Sequence, residues 1–318
     1  MTRRDSNVLV LQSGGPTPVL NRSLYGVIAE ASADPRVGRV YGARHGIEGV
    51  LRDDLIDLGE QPPGILEGTA RQPGAALGST RHNLTEDEMP TVLDRLDRRG
   101  IRYLHVIGGN DSAETGHRIA AAAAGAGLPL GVVNVPKTVD NDLVMTDHTP
   151  GYGSAARFIA LATLGCGLDA EAMARVAPIT IIEVMGRDAG WLPAAAALAR
   201  REERDAPHVL GLPEVPVDEE KFLGAIEDAY RRHGFAVVVM SEKTSTSTGV
   251  LGASAEPNYV DTFGHEYYDP PARYVARVLA KRLGVRVRDE EPGTIQRSFS
   301  GAASAVDGEE AEAAGRAA

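Results

Sequence analysis

The stretch YLHVIGGNDS, residues 103–112, decides the fold class of this 318-residue chain. Residues 103–107 form a short apolar run typical of a buried strand, and the glycine-rich residues 108–112 are typical of a turn. An alanine-rich segment, residues 113–124, follows and favours a helix. The stretch therefore predicts a strand, a turn and a helix in direct succession.

The same succession recurs along the chain. Further strands are predicted at residues 8–11, 128–135, 179–184 and 235–240, and further helices at residues 19–31 and 190–201. Continuous β-branched runs that alternate with helices indicate parallel strands buried on both faces. The sequence therefore predicts a doubly wound α/β architecture, which binds ligands at the carboxyl ends of its strands.

Three segments lack this pattern. Residues 203–216 are rich in proline and charge, residues 243–258 are rich in Ser, Thr and Gly, and both predict loops. The tail from residue 302 onward is mostly Ala, Glu and Gly. It predicts either one weak surface helix or a frayed end.

The composition excludes several classes of protein. The net charge of −11 argues against nucleic-acid and anionic-membrane binding, so an anionic substrate needs a local cluster of cations. No run approaches 18 apolar residues, and the N-terminal apolar run is too short for a secretory signal. The single cysteine, Cys166, permits no intramolecular disulfide, which suits a cytoplasmic protein. Its apolar neighbours favour a small buried hydrophobe over a reactive thiol.

Two glycine-rich turns point to phosphate. In the turn Ser13-Gly14-Gly15-Pro16, small residues let backbone N–H groups approach an anion, and the following helix N-terminus adds partial positive charge. The turn at residues 108–112 has the same form and adds a carboxylate, Asp111. Asp111 has a second interpretation, as the cap of a helix beginning near residue 113.

The stretch PKTVDND, residues 136–142, carries the densest set of reactive groups. Asp140 and Asp142 point to the same side if the backbone stays extended between them. One carboxylate can then take a proton from an attacking hydroxyl, while the other fixes that hydroxyl or holds a metal. Lys137 can neutralise a phosphate. The alternative is an Asx-rich turn that satisfies only its own backbone.

Four arginines, Arg81, Arg187, Arg288 and Arg297, stand at predicted turns. Because one guanidinium group can donate two parallel hydrogen bonds to the oxygens of a phosphate, these arginines predict anion-binding sites. The eight histidines show no metal-ligand spacing, and no P-loop motif is present.

Taken together, these motifs resemble the phosphofructokinase family. The resemblance runs in family order over nearly the whole chain. Its landmarks are LVLQSGGPTPVLN from Leu9, GAALGSTR ending at Arg81, IGGNDS from Ile107, PKTVDND from Pro136, IIEVMGR from Ile181, VVVMSE ending at Glu242 and GTIQR ending at Arg297.

The resemblance implies a catalytic role for each residue that matches a family motif. Asp140 would be the general base for the 1-hydroxyl of the sugar. Asp142 and Thr138 would hold that hydroxyl and the moving phosphoryl group. Arg81 and Arg187 would stabilise the developing charge.

It also implies the residues that bind the sugar phosphate. Met185 and Gly186, together with Arg187, Thr138, Asp140 and Glu242, would contact the sugar. Arg288 and Arg297 would bind its 6-phosphate.

The resemblance further implies the phosphoryl donor. Gly14 and Gly15 would approach the donor, with Arg81 nearby. Where ATP users of the family have small glycines beside the α-phosphate, this chain has Asp111 and Lys137. Asp111 adds bulk and negative charge there, and Lys137 can reach a shorter donor, so the chain looks like the pyrophosphate-dependent branch.

Three positions depart from the family pattern. Asn110 replaces the usual magnesium-binding aspartate, so Mg²⁺ would be held by Asn110 and Asp111 or mainly by the donor phosphates. Pro178 and Thr294 replace an arginine and a histidine near the sugar phosphate, which leaves the acceptor open. The chain also ends about twenty residues after Arg297, where relatives continue through a further strand and helix, and we expect this to bear on stability more than on chemistry.

The fold implied by the resemblance is α/β, with two doubly wound, mostly parallel-sheet domains and an active site in the cleft between them. Residues 1–150 and about 290–318 would form the phosphoryl-donor domain, and residues 151–289 the sugar-phosphate domain. The implied activity is a reversible, magnesium-dependent transfer from pyrophosphate to fructose 6-phosphate by a homodimer or homotetramer. The alternatives are an ATP-dependent kinase, a kinase of another sugar phosphate such as sedoheptulose 7-phosphate, and a non-catalytic family member.

Overall fold

A computed structural model describes residues 6–253, 259–260, 266–267 and 270–318. The strands are β1 Asn7–Gln12, β2 Val40–Ala43, β3 Leu55–Asp57, β4 Ile101–Gly108, β5 Gly131–Pro136, β6 Ile179–Val184, β7 Val209–Gly211, β8 Ala236–Ser241, β9 Ser245–Thr246, β10 Gly249–Val250, β11 Tyr259–Val260, β12 Glu266–Tyr267 and β13 Val287–Glu290. The α-helices are α1 Leu20–Ala33, α2 Ile47–Arg52, α3 Pro63–Ala70, α4 Met89–Arg98, α5 Asn110–Gly125, α6 Tyr152–Ala172, α7 Trp191–Ala195, α8 Glu219–His233, α9 Pro271–Leu283 and α10 Ala305–Ala317.

The chain divides into two compact units. Unit 1 comprises Met1–Thr138, Leu143–Ser154 and Arg297–Ala318, and unit 2 comprises Val139–Asp142 and Ala155–Gln296. The assignment of the phosphoryl donor to one unit and of the sugar phosphate to the other stays a prediction.

Unit 1 is built on a five-stranded sheet in the order β3-β2-β1-β4-β5, parallel except between β2 and β3. All six residues of β1 are buried, because helices cover both faces of the sheet. Two apolar clusters, one containing Leu9 and Leu104 and the other Val10 and Ile107, fill the two faces. The predicted doubly wound arrangement is therefore confirmed for this unit.

The C-terminal tail is a single helix, α10, rather than a frayed end, as one of the two predicted alternatives has it. It is packed against α1 and not weakly attached. A Cβ atom on Gly315 would lie 2.1 Å from the carbonyl oxygen of Ser23, which shows how closely α10 approaches α1. The buried Asp307 accepts hydrogen bonds from the N–H groups of Gly151 (2.8 Å) and Ser154 (2.9 Å). The spacing of alanines and glycines gave no apolar stripe from which this packing could be predicted.

Unit 2 contains a parallel sheet in the order β13-β6-β8-β7. Its apolar core includes Ile181, Val238 and Leu279, and the predicted strands at residues 179–184 and 235–240 are confirmed. The predicted helix at residues 190–201 is instead α7 followed by a 3-10 helix at Ala196–Ala199.

The two predicted loops contain short strands. Residues 203–216 include the three-residue edge strand β7, and residues 243–258 include β9 and β10, although residues 254–258 lie outside the described part. Strands of two or three residues are too short for periodicity to be recognised. Within the described ranges, we find no helix whose length and apolar character would let it cross a bilayer.

Candidate active site

The predicted phosphate turns of unit 1 lie side by side. Strands β1, β4 and β5 are neighbours and parallel, so their carboxyl ends meet at one sheet edge. The N–H of Ser13 donates to the carbonyl of Ile107 (3.0 Å), and the N–H of Lys137 donates to the carbonyl of Gly108 (3.1 Å). Residues 13–16, 108–112 and 136–138 therefore follow three adjacent strand ends, as the sequence predicts.

The segment before Arg81 is attached to the Gly14 turn. Gly14 has φ +77°, a value that favours glycine, and its N–H donates to the carbonyl of Thr80 (3.1 Å). The hydroxyl of Ser79 donates to the carbonyl of Gly14 (2.6 Å). Thr80 is thus hydrogen-bonded to the Gly14 turn, and the exposed Arg81 is the next residue in the chain.

Two cationic side chains contact Gly15. Lys137 is only 4% exposed, and its Nζ donates to the carbonyl of Gly15 (2.9 Å). A Cβ atom on Gly15 would lie 2.4 Å from Nη1 of Arg297, so the guanidinium occupies the space that a side chain would need. The sequence predicted Lys137 here, whereas it associated Arg297 with the sugar phosphate.

Asn110 and Asp111 lie in the first turn of α5, and both are exposed. The cap residue of this helix is Gly109, because α5 begins three residues earlier than predicted. Asp111 is therefore not the helix cap, which removes that interpretation. In the parts of the chain that the structure describes, no group of three or more His, Cys, Asp and Glu side chains is arranged to hold a metal ion.

The backbone of the segment PKTVDND is not extended throughout. Thr138 forms a parallel bridge with Gly151, but Asn141 has φ +55° and is buried. A left-handed residue between Asp140 and Asp142 interrupts the alternation of side chains, so the predicted shared side does not follow from strand geometry. Asparagine tolerates this conformation better than most residues, so Asn141 suits the turn between the two aspartates.

In unit 2, Arg187 and Glu242 are joined at the ends of β6 and β8. The N–H of Arg187 donates to Oε1 of Glu242 (3.2 Å), and the hydroxyl of Ser241 donates to the carbonyl of Arg187 (3.1 Å). Gly186 has φ +130°, and a Cβ there would lie 2.5 Å from the carbonyl oxygen of Ala189. The tight turn thus requires glycine before Arg187.

Asp140 is electrostatically coupled to Glu242. Burial raises the pKa of the Glu242 carboxyl above its usual value, the negative charge of Asp140 raises it further, and Arg187 acts in the opposite direction. Three of the predicted sugar and catalytic residues therefore interact within unit 2.

Gln296 belongs to the motif GTIQR, but the sequence predicts no role for it. It is 2% exposed, and its Oε1 accepts from the N–H of Met185 (3.1 Å), while its Nε2 donates to the carbonyl of Gly293 (3.0 Å). Gln296 fixes the backbone of Met185, which is one of the predicted sugar contacts.

Glu183 is a second residue that the sequence analysis missed. Its carboxylate accepts from the N–H of Ala272 at the start of α9 (2.9 Å). Burial raises its pKa to about 7, with smaller contributions from the charges of Glu291 and Glu242. The sequence does contain an indication of a special role, because Glu183 is a charged residue inside the otherwise apolar strand IIEV.

We expect Glu183→Gln to stabilise the protein at pH 8 but not at pH 4.5. The raised pKa means that stability from neutral Glu183 is fully present below 4.5 and is lost as the pH rises through about 7. The gain in unfolding free energy of Glu183→Gln over wild type should grow with pH to at most about 3.5 kcal/mol, because the pKa is raised from 4.5 to about 7, by about 2.5 units, and each unit is worth about 1.4 kcal/mol. Denaturant unfolding at both pH values measures it, with the exposed Glu67→Gln as the control, and an equal difference at both would contradict the prediction.

Arg288 lies in unit 2, whereas Arg297 lies in unit 1. Arg288 forms an ion pair with Asp169 of α6. The two side chains line a cavity of about 380 Å³ together with Cys166 and Glu290. Cys166 is half-buried rather than fully buried as predicted, and burial raises the pKa of its thiol.

The chain is similar to known proteins over nearly its whole length. Residues 7–318 match the profile of the family described as phosphofructokinase. The chain is 40% identical to the pyrophosphate--fructose 6-phosphate 1-phosphotransferase of Xanthomonas campestris pv. campestris (strain B100), over 99% of this chain and 76% of the relative. It is 32% identical to the sulfofructose kinase of Alkalicoccus urumqiensis, over 97% of this chain and 78% of the relative.

A solved structure shows the same similarity. The pyrophosphate-dependent phosphofructokinase of Nitrosospira multiformis superposes with a TM-score of 0.89 at 35% sequence identity, covering 98% of this chain and 75% of that one. Because the family profile spans nearly the whole sequence, the chain belongs to the phosphofructokinase family.

Proposed function

We propose that this protein transfers a phosphoryl group from pyrophosphate to the 1-hydroxyl of fructose 6-phosphate, giving fructose 1,6-bisphosphate and phosphate in a reversible reaction. The observation that carries the choice of donor is the ammonium of Lys137, held on the carbonyl of Gly15 in the glycine turn. The names of the relatives from Xanthomonas and Nitrosospira support the same reaction.

The donor preference follows from charge and space. The ammonium of Lys137 supplies positive charge to a short anion beside Gly15. Asp111 lies in the first turn of α5, and the family resemblance implies that a longer donor would place another phosphate beside its negative charge. Repulsion of the wrong ligand is a common source of such specificity.

The proposed chemistry on the acceptor uses unit 2. Asp140 accepts the proton of the attacking 1-hydroxyl, and Arg187 neutralises charge that develops on the transferred group. Glu242 binds a sugar hydroxyl and, through its hydrogen bond to the N–H of Arg187, orients that turn. Phosphoryl transfer depends mainly on such positioning and charge neutralisation.

The residues at the start of α5 fit a magnesium ion that arrives with pyrophosphate. Mg²⁺ in phosphate-transfer sites is held by one or two protein oxygens, water and the substrate phosphates. Asn110 and Asp111 are exposed, adjacent and oxygen-bearing, so they are the proposed ligands. Bound Mg²⁺ would neutralise pyrophosphate charge there.

The protein is proposed to be cytoplasmic and to form a homo-oligomer. The apolar surface of α6 supports the second proposal. Leu161, Leu164 and Leu168 are 51%, 37% and 62% exposed at helical spacing on α6. An exposed apolar stripe of this kind supports contact with another subunit.

A second acceptor, sulfofructose, is favoured by the relative from Alkalicoccus. In this chain Pro178 and Thr294 stand where the family resemblance implies an arginine and a histidine for the sugar phosphate. The loss of these two side chains would weaken the preference for a phosphate at that end of the acceptor.

The reaction is tested by offering pyrophosphate or ATP with each acceptor in parallel and measuring the phosphorylated sugar. We expect turnover with pyrophosphate and fructose 6-phosphate to exceed turnover with any ATP combination. Higher turnover with ATP would overturn the donor assignment, and higher turnover with sulfofructose would replace the acceptor. Protein carrying Asp140→Asn, prepared identically, measures contaminating activity.

A further inference from the structure

The buried carboxylate of Asp307 holds the start of α6 from another helix. Asp307 lies in the first turn of α10 and is 1% exposed. Its Oδ1 accepts from the N–H of Gly151 (2.8 Å), and its Oδ2 accepts from the N–H (2.9 Å) and the hydroxyl (2.5 Å) of Ser154. Because α6 begins at Tyr152, these two N–H groups have no carbonyl partner within their own helix. Asp307 therefore caps α6.

The cap is not needed to attach α10. Ser304 is the cap residue of α10, and the helix packs closely on α1 at positions such as Gly315. Burying a carboxylate costs free energy that its hydrogen bonds only offset, so attachment alone does not favour Asp307 over an apolar residue. What its hydrogen bonds add is a fixed backbone position at the start of α6.

Gly151 lies against the motif PKTVDND. It forms a parallel bridge with Thr138, and its φ of +115° is a value that favours glycine. A Cβ atom there would lie 2.6 Å from Cγ2 of Thr17 and 3.3 Å from the carbonyl oxygen of Thr138. Gly151 thus packs between Thr17, which directly follows the glycine turn, and Thr138, and all three residues belong to unit 1.

We propose that Asp307 is a positioning residue for the phosphoryl transfer, which it serves by fixing Gly151 and, through Gly151, the backbone of Thr138. Thr138 stands between Lys137, the proposed donor ligand, and Asp140, the proposed general base. Its backbone therefore sets where both side chains begin. The inference rests on the proposed function, and Asp307 acts through Gly151 rather than on the substrates themselves.

Asp307→Asn tests the proposal. An amide has only one oxygen, so its NH₂ group would face the N–H of either Gly151 or Ser154 and part of the cap would be lost. A displacement of about 1 Å can cost about 100-fold in rate, so we expect kcat with pyrophosphate and fructose 6-phosphate to fall about 10- to 100-fold. Because the substrate contacts remain and only their alignment changes, kcat should fall much more than either KM rises.

Ala311→Gly is the matched control on the same helix. Ala311 is buried, and glycine there weakens α10 through lost packing and lower helix propensity without touching the cap. Denaturant unfolding measures the stability of both variants. Ala311→Gly should lower stability and keep a kcat close to that of wild type. A loss of kcat that follows stability in the same proportion in both variants would show that Asp307 only attaches α10.

Hydrogen exchange in the substrate-free protein gives a readout that does not depend on turnover. The amides of residues 138–142 should exchange faster in Asp307→Asn than in wild type or Ala311→Gly. If wild type makes no product from pyrophosphate, the proposed reaction fails, but the exchange still decides whether Asp307 holds this segment. Exchange at the wild-type rate there would contradict the proposal.

Ser154→Ala supplies the same test if Asp307→Asn does not fold. It removes a hydroxyl that donates to Oδ2 of Asp307 and accepts from the N–H of Ser304 (3.0 Å), and it leaves both N–H bonds of the cap in place. We expect a smaller fall in kcat and a smaller rise in exchange at residues 138–142, both in the same direction. A Ser154→Ala protein equal to wild type in both measurements would overturn the positioning role.

Discussion

Asp140→Asn is expected to lower kcat by about 10²- to 10⁴-fold, the usual contribution of a positioned general base. Asparagine keeps the shape of the side chain but cannot accept the proton of the sugar 1-hydroxyl. Substrate binding should change little, so kcat should fall much more than KM rises. Steady-state kinetics with pyrophosphate and fructose 6-phosphate measures both values.

The electrostatic coupling of Asp140 to Glu242 supplies an independent readout. Because the charge of Asp140 raises the pKa of Glu242, Asp140→Asn should lower that pKa. NMR titration of the Glu242 carboxyl would detect the change.

The exposed Asp228→Asn, also in unit 2, is the matched control and should leave kcat and the Glu242 pKa unchanged. A folded Asp140→Asn protein with near-normal kcat would remove Asp140 from the role of general base.

The sequence predicts the strands and glycine turns well because each follows from a local pattern. The buried run before Ser13 and the run before Gly108 are both strands, and their neighbouring turns meet because parallel strands end together. The α/β class and the family are both confirmed. Residue roles do not follow from such patterns.

What the sequence misses depends on contacts between distant segments. The left-handed Asn141 alters the relation of the two aspartates, and no periodicity reveals it. Arg297 contacts Gly15 across 282 positions, and Gln296 binds the backbone of Met185. Helix α10 packs through the backbone at Gly315, where a pattern of apolar side chains is absent.

Lys137→Gly is expected to lower kcat/KM for pyrophosphate by about 10- to 100-fold, because it removes a charged donor beside Gly15. Lys137 is buried, so the glycine variant also leaves a cavity. Lys137→Met fills most of that space without charge and separates the two effects. If Lys137→Met uses pyrophosphate as well as wild type, the ammonium does not bind the donor.

Asp111→Gly should act differently, since Asp111 is proposed to repel a longer donor. It lies in the first turn of α5 after the cap residue Gly109, so its loss should cost only about 1 kcal/mol of stability through helix propensity and the helix dipole. Use of pyrophosphate should be nearly unchanged, while use of ATP should rise.

The double variant Lys137→Gly, Asp111→Gly should shift the donor preference towards ATP by more than the product of the single shifts. Both side chains are proposed to limit one space, and residues that share a space do not act additively. Removing Asp111 alone leaves the ammonium in the path of a nucleotide, and removing Lys137 alone leaves the repelling carboxylate. Measuring kcat/KM for both donors on wild type, the two single variants and the double variant shows whether Lys137 and Asp111 limit the same space. Independent effects would mean that the two residues do not bound a common site, and a wild type that prefers ATP would show that neither residue excludes the nucleotide.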